Sequence, residues 1–176
     1  MRRRAQLDNV SVARTGEWPT CIPHGRMRIT ATSEHARNHH GYVYAAANTI
    51  DDRPETIWHS EFEPRASLPQ SVTLDLGSAV EICGLACQPR LDTPKGMITR
   101  YNVYLSDDGW AFDKVASGTW PATTSTKLAS WPPRKAQYVR LEAVAGEGKL
   151  ASIGELDIAT TSRGGLSQSS PTTAPR

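Results

Sequence analysis

The chain has 176 residues, 38% of them hydrophobic, and 20 basic against 18 acidic side chains give a net charge of +2. That length predicts one domain with a real core, burying roughly two-thirds of its unfolded surface. The dispersed charge excludes the one-sided basic footprint of a nucleic-acid binder, and no apolar run approaches the ~18 residues of a membrane span.

Residues 1–26 carry scattered prolines and little periodicity and are read as an N-terminal arm. Its basic run, Arg2-Arg3-Arg4, leads into Ala5-Gln6-Leu7-Asp8-Asn9 rather than an apolar stretch, so no secretory signal is visible. The chain is then either cytoplasmic or a piece of a larger secreted protein. Residues 161–176 favour the second, because Gly164 to Pro175 has the Ser/Thr/Pro/Gly composition of a flexible linker. The module proper is placed at 27–160, secreted, with a catalytic domain attached elsewhere in the parent chain and a monomeric state expected.

Within the module, short strand candidates follow one another: Arg28–Thr32, Ser71–Leu76, Ala79–Gln88, Met97–Ser106, Lys114–Ala116, Ser125–Leu128, Gln137–Val144 and Ile153–Ala159. Several alternate apolar and polar residues, as in Tyr101-Asn102-Val103-Tyr104-Leu105. Turn signals separate them at Asp75-Leu76-Gly77-Ser78, Asp107-Asp108-Gly109 and Trp131-Pro132-Pro133. The sole helix candidate is Tyr44–Thr49, one or two turns long. This pattern predicts an all-β fold, an antiparallel β-sandwich. Cys83 and Cys87 share one strand about 13 Å apart at ~3.3 Å per residue, too far to bridge, and are expected as buried thiols. Cys21 can pair only if the arm folds back, which the sequence leaves open.

The stretch from Asn48 to Phe62 concentrates the chemistry. Asp51 and Thr56 bracket a turn whose oxygens suit a hard cation. Successive side chains in an extended segment point to opposite faces, so an inward Trp58 predicts an outward His59.

Ala47-Asn48-Thr49-Ile50-Asp51 followed by Thr56-Ile57-Trp58-His59 resembles the discoidin-like (coagulation factor V/VIII type C) family. Leu68 to Gly77, Gly84 to Arg90, Gly96 to Gly109, Ala136 to Leu141 and Ala151 to Leu156 keep step with it, most like the family 32 carbohydrate-binding modules. The resemblance implies a jelly roll and a structural Ca²⁺ held by the side chains of Asp51, Thr56 and Glu155 with main-chain oxygens of Asn48, Arg53, Thr56 and Gly154. It also implies a glycan ligand contacted by His59 and Arg90, with Phe62 as an aromatic flank; the polar loop Ser33 to Tyr42 is expected to edge that site through Glu34 or Tyr42. Asp52 stands where the family has glycine; if that position needs a positive φ, aspartate tolerates it better than most residues.

Two positions depart from the pattern. Lys95 replaces an asparagine before Gly96, and Leu150 stands where an aromatic is common. Lys95 and Lys149 therefore admit a uronate-type glycan beside the galactose type. The other class of function is a discoidin-type adhesion module binding protein or anionic lipid, with Phe62, Leu91 and Leu150 as its apolar spikes. No nucleophile elbow, phosphate loop or zinc-binding motif assembles, so no catalytic activity of the chain itself is expected.

Overall fold

The computed structural model describes residues 20–161. Eleven strands follow in chain order: β1 (Thr20–Cys21), β2 (Arg28–Ala31), β3 (His35–His39), β4 (Tyr42–Tyr44), β5 (Trp58–His59), β6 (Gln70–Gln88), β7 (Ile98–Ser106), β8 (Asp113–Thr119), β9 (Lys127–Gly146), β10 (Ser152–Ile153) and β11 (Glu155–Thr160). The pairings are antiparallel, and the fold is the expected antiparallel β-sandwich of jelly-roll type. The main sheet runs β1-β11-β6-β9-β7-β8, with β2 also on β6; β3–β4 and β5–β10 are separate two-stranded pairs. The expected helix is a 3₁₀ turn, Ala46–Ile50.

Two pairs of strand candidates turn out to be two long strands. Ser71–Leu76 and Ala79–Gln88 are the halves of β6, and Ser125–Leu128 and Gln137–Val144 fall at the two ends of β9. Gly77, with φ +79°, does reverse the local backbone, but as an irregularity: the β6–β9 ladder skips from Asp75 to Val80 and resumes. The first half of β6 pairs with β2 and the second with β11. One bent strand therefore serves both ends of the sandwich.

The core lies between the layers. Val72, Leu74, Leu76, Ile82, Leu85, Val103, Val139, Leu141, Leu156 and Ile158 form one buried cluster, with Trp58 fully covered among them. The Trp58 indole N–H donates to the Ser33 carbonyl at 3.0 Å, so the ring is anchored by hydrogen bond as well as by area. Truncating it would cost about 3–5 kcal/mol. Cys83 and Cys87 are buried and unbridged, and burial pushes the Cys87 thiol up to about 12. Cys83 packs with Ala86 and Ala159 in a second, smaller cluster that Cys21 covers.

The packed body also reaches further toward the N-terminus than the sequence suggests. Thr20 pairs with Thr160 and Cys21 with Ala159, and Ile22 and His24 are buried. Aperiodic sequence concealed this because the segment is held by two ladder pairs and one polar anchor. The remainder of the arm, including Arg2-Arg3-Arg4, and the tail from residue 162 lie outside the described residues.

Candidate functional site

His59 and Arg90 come together at the end of the sandwich where β5, β10 and the loop after β6 meet. His59 is the Cα partner of Ser152 in the β5–β10 pair. Its Nδ1 lies 2.7 Å from the Ser60 carbonyl oxygen. A carbonyl only accepts, so Nδ1 carries the proton and Nε2 presents a lone pair. Burial, joined by the nearby Arg90 charge, holds the ring's pKa below its ordinary 6.5, so the imidazole stays neutral. The site thus offers one ring nitrogen as a hydrogen-bond acceptor.

The expected outward orientation of His59 is corrected: the residue is only 5% exposed. Strand alternation fails because β5 is two residues long and the loop after it folds over its other face. Nε2 nevertheless has no partner among the described residues and is not one of the sealed polar atoms. Gly96 keeps it open, since a Cβ there would lie 3.3 Å from Nε2 and 2.6 Å from Ser152 Oγ.

Arg90 borders the same wall. Its Nε and one NH2 proton donate to the two Asp92 carboxylate oxygens at 2.8 and 2.7 Å, and NH1 donates to the Lys95 carbonyl at 3.4 Å. Of five guanidinium N–H groups, two remain. Asp92 clamps the plane, and the hydrogen bonds from Arg90 hold its carboxyl below the usual range. The clamp was not singled out in the sequence, although Arg-x-Asp on a turn is a readable signal.

Phe62 meets His59 edge-on at 5.1 Å and stacks on His35 at 3.8 Å. Its loop is organised by Glu61, whose Oε1 accepts the Phe62 and Glu63 amides and, at 2.6 Å, the His35 ring N–H. Those bonds, the His35 one first, lower the Glu61 carboxyl to about 2. Tyr44 lies 6.1 Å from His59 and 6.2 Å from Phe62, and the exposed Tyr42 stacks on Tyr44. The β3–β4 hairpin thus brings Tyr44 beside the histidine, with Tyr42, the residue expected at the edge, stacked on it; Tyr44 was not singled out in the sequence.

Three expected contacts sit otherwise. The Glu34 carboxylate accepts the Ala46 amide at 2.7 Å, so it caps the 3₁₀ turn instead of facing a ligand. Leu150 is 9% exposed, tucked against its own turn as neither spike nor clamp. Lys95 contributes its carbonyl, taken by Arg90 and by Ser152 Oγ at 3.5 Å, while its side chain is exposed.

The second cluster is the turn from Asn48 to Thr56. Thr56 Oγ1 donates within reach of both Asp51 oxygens (3.0 and 2.8 Å) and of the Arg53 carbonyl (2.9 Å). Asp52 adopts φ +61°, the left-handed conformation for which glycine is the usual choice. The Asn48 side-chain amide donates to the Val43 and Ile57 carbonyls, and the Gly154 amide to the Gln88 carbonyl. Glu155 is buried and neither of its carboxylate oxygens has a hydrogen-bond partner. Desolvation pushes its carboxyl up to about 7. An orphaned buried carboxylate beside Asp51 and a rim of hydroxyl and carbonyl oxygens is the donor chemistry of a hard cation. Among the described residues no three His, Cys, Asp or Glu side chains converge as metal ligands, so a cation here must draw on main-chain oxygens.

His24, missed in the aperiodic arm, closes this cluster. Its Nε2 donates to the Leu156 carbonyl at 2.8 Å and lies 3.3 Å from Asp157, while Nδ1 is 3.0 Å from Asp52 and 3.9 Å from Glu155. The Asp157 hydrogen bond outweighs burial and raises the ring to about 9.

The F5/8 type C domain matches residues 28–156. The chain belongs to that family. Its F5/8 type C fold superposes on CpGH89CBM32-5 from Clostridium perfringens, solved in complex with GalNAc-β-1,3-galactose, with a TM-score of 0.75 and 38% identity over 79% of this chain and 99% of that one. It is similar also to the family 32 module of Clostridium perfringens NanJ in complex with galactose (TM-score 0.73, 31% identity, 81% and 99% covered). A curated relative is the A type blood N-acetyl-α-D-galactosamine deacetylase of Flavonifractor plautii, 31% identical over 157 residues. The match takes in 89% of this chain but spans only 20% of that enzyme's length.

Proposed function

We propose that the chain is a non-catalytic carbohydrate-binding module that recognises an exposed galactose-type sugar. It would be the targeting part of a larger extracellular enzyme, acting as a monomer. The observation that carries this is the shared wall at Lys95-Gly96, which borders the neutral His59 acceptor on one side and takes a bond from the Arg90 guanidinium on the other, close enough for the Arg90 charge to act on the ring. One acceptor and a planar pair of donors match adjacent sugar hydroxyls, and the Phe62, Tyr44 and Tyr42 rings supply the apolar surface a sugar's C–H face needs. Two family members at least 31% identical were solved with galactose-containing ligands, which supports the sugar class. Tethering would raise the local concentration of an attached catalytic domain near its glycan.

Asp51, Thr56 and Glu155, with carbonyls of Asn48, Arg53 and Gly154, would hold a structural Ca²⁺. The ion would neutralise Glu155 and fix the turn that leads into Trp58 and His59.

The adhesion reading has less support, because of Phe62, Leu91 and Leu150 only Leu91 is prominently exposed, at 54%. Titration calorimetry with galactose is the test: binding by the wild type that is about 10–100-fold weaker in His59→Phe supports the proposal, and equal binding by both refutes it.

A further inference from the structure

Beside the His59–Arg90 wall runs an open groove of about 390 Å³ that no part of the proposed galactose site uses. Arg65, Ser67 and Leu68 form one side, and Val144 to Gly146 with Lys149 form the other. Both sides are continuous with the sugar site. Arg65 is bridged to Phe62 across a tight turn closed by the Ala66 amide and the Glu61 carbonyl. On the opposite side the Glu147 carbonyl accepts the Gly96 amide, and the strand that follows places Ser152 against His59.

The groove's charge is one-sided. Its lining includes two cations and no acid. Arg65 and Lys149 are exposed, and neither has an ion-pair partner among the described residues. Lys149 is moreover held at φ +59°, directly after Gly148 at φ +70°. A lysine rarely adopts that conformation, and such outliers cluster where a ligand is held. Leu68 and Val144 add apolar side chains to the same lining.

The geometry points to a subsite for an acidic sugar unit, a uronate, adjoining a galactose seated on His59 and Arg90. This inference rests on the galactose reading. The guanidinium of Arg65 and the ammonium of Lys149 face one carboxylate from opposite sides, and the apolar side chains take the C–H face of its ring. The chain would then prefer glycans in which galactose is followed by an acidic residue over neutral ones of the same linkage.

Calorimetry on the whole chain decides it, with free galactose, galactosyl-glucose and galactosyl-glucuronate, the disaccharides each in β-1,3 and β-1,4 linkage. In at least one linkage the uronate should bind about fivefold tighter than its neutral partner, as two exposed ion pairs allow. High salt should erase that gap. An Arg65→Ala, Lys149→Ala double variant should also erase it while leaving free galactose affinity within a factor of about two. A wild type that binds galactose with no uronate preference, or a preference that survives the double variant, overturns the subsite alone. A wild type that binds no galactose overturns the reading beneath it.

Discussion

The two polar clusters of this module are satisfied in opposite ways. Around His59 and Arg90 nearly every donor and acceptor is engaged within the protein, and one lone pair and two N–H groups are left over. Around Glu155 the reverse holds, with a carboxylate sealed in the interior and both oxygens unmet. The first region is preorganised, its side chains already fixed by second partners, so little ordering is left to oppose a weak ligand. The second leaves Glu155 with the His24 ring, 3.9 Å away, as its nearest opposite charge, a setting in which the proposed cation would be stabilising. On the proposed reading, ligand recognition and structural support are separate pieces of chemistry joined by the short run from Thr56 to His59.

Replacing the exposed lone pair should break the comparison most. His59→Phe keeps a planar ring at the position but removes the acceptor, and galactose affinity should fall about 10–100-fold, the cost of stranding a hydroxyl. A melting curve near that of the wild type distinguishes this from unfolding. Supplying the cation at Glu155 should act on stability instead. Saturating Ca²⁺ should raise the melting temperature by about 5–10 °C, and Glu155→Gln should abolish the response. A wild-type curve indifferent to Ca²⁺ and to chelator would refute the cation site.

Proton competition sharpens the distinction further. The His59 pKa is depressed, so the neutral acceptor form persists below pH 6.5 and is lost only as pH falls through the lowered value. Galactose affinity should therefore be level from pH 8 to about pH 6.5, the ordinary histidine value, and decline at lower pH. A decline that begins above pH 6.5 would mean the ring is not held neutral. The smallest effect belongs to the aromatic flank: Tyr42→Ala should weaken binding about threefold, on the order of one ring-face contact, with no change in melting temperature.

Much of this was legible in the sequence, and the failures have physical causes. The Asp52 conformation could be anticipated because left-handed backbone restricts residue type, and the φ of +61° bears this out. Trp58 could be read as an anchor from its size and its place after an acidic turn. The exposure of His59 could not, because alternation describes a strand with one open face, and a two-residue strand capped by the Glu61–Phe62 loop has none. His24 carried no periodic signal; its place is set by three carboxylates distant in sequence, Asp52, Glu155 and Asp157. Glu34 and Leu150 fell near the site in sequence order but were taken up by the Ala46 amide and by local packing. The long strands β6 and β9 looked like four because a bend and a turn leave the same glycine and proline marks.

The most direct measurement is the ¹⁵N spectrum of the His59 ring during a galactose titration. The account predicts a neutral imidazole protonated on Nδ1 throughout, with the Nε2 resonance moving as it accepts a sugar hydroxyl. A ring protonated on Nε2, a charged imidazolium at neutral pH, or an Nε2 signal unmoved by saturating galactose would contradict it.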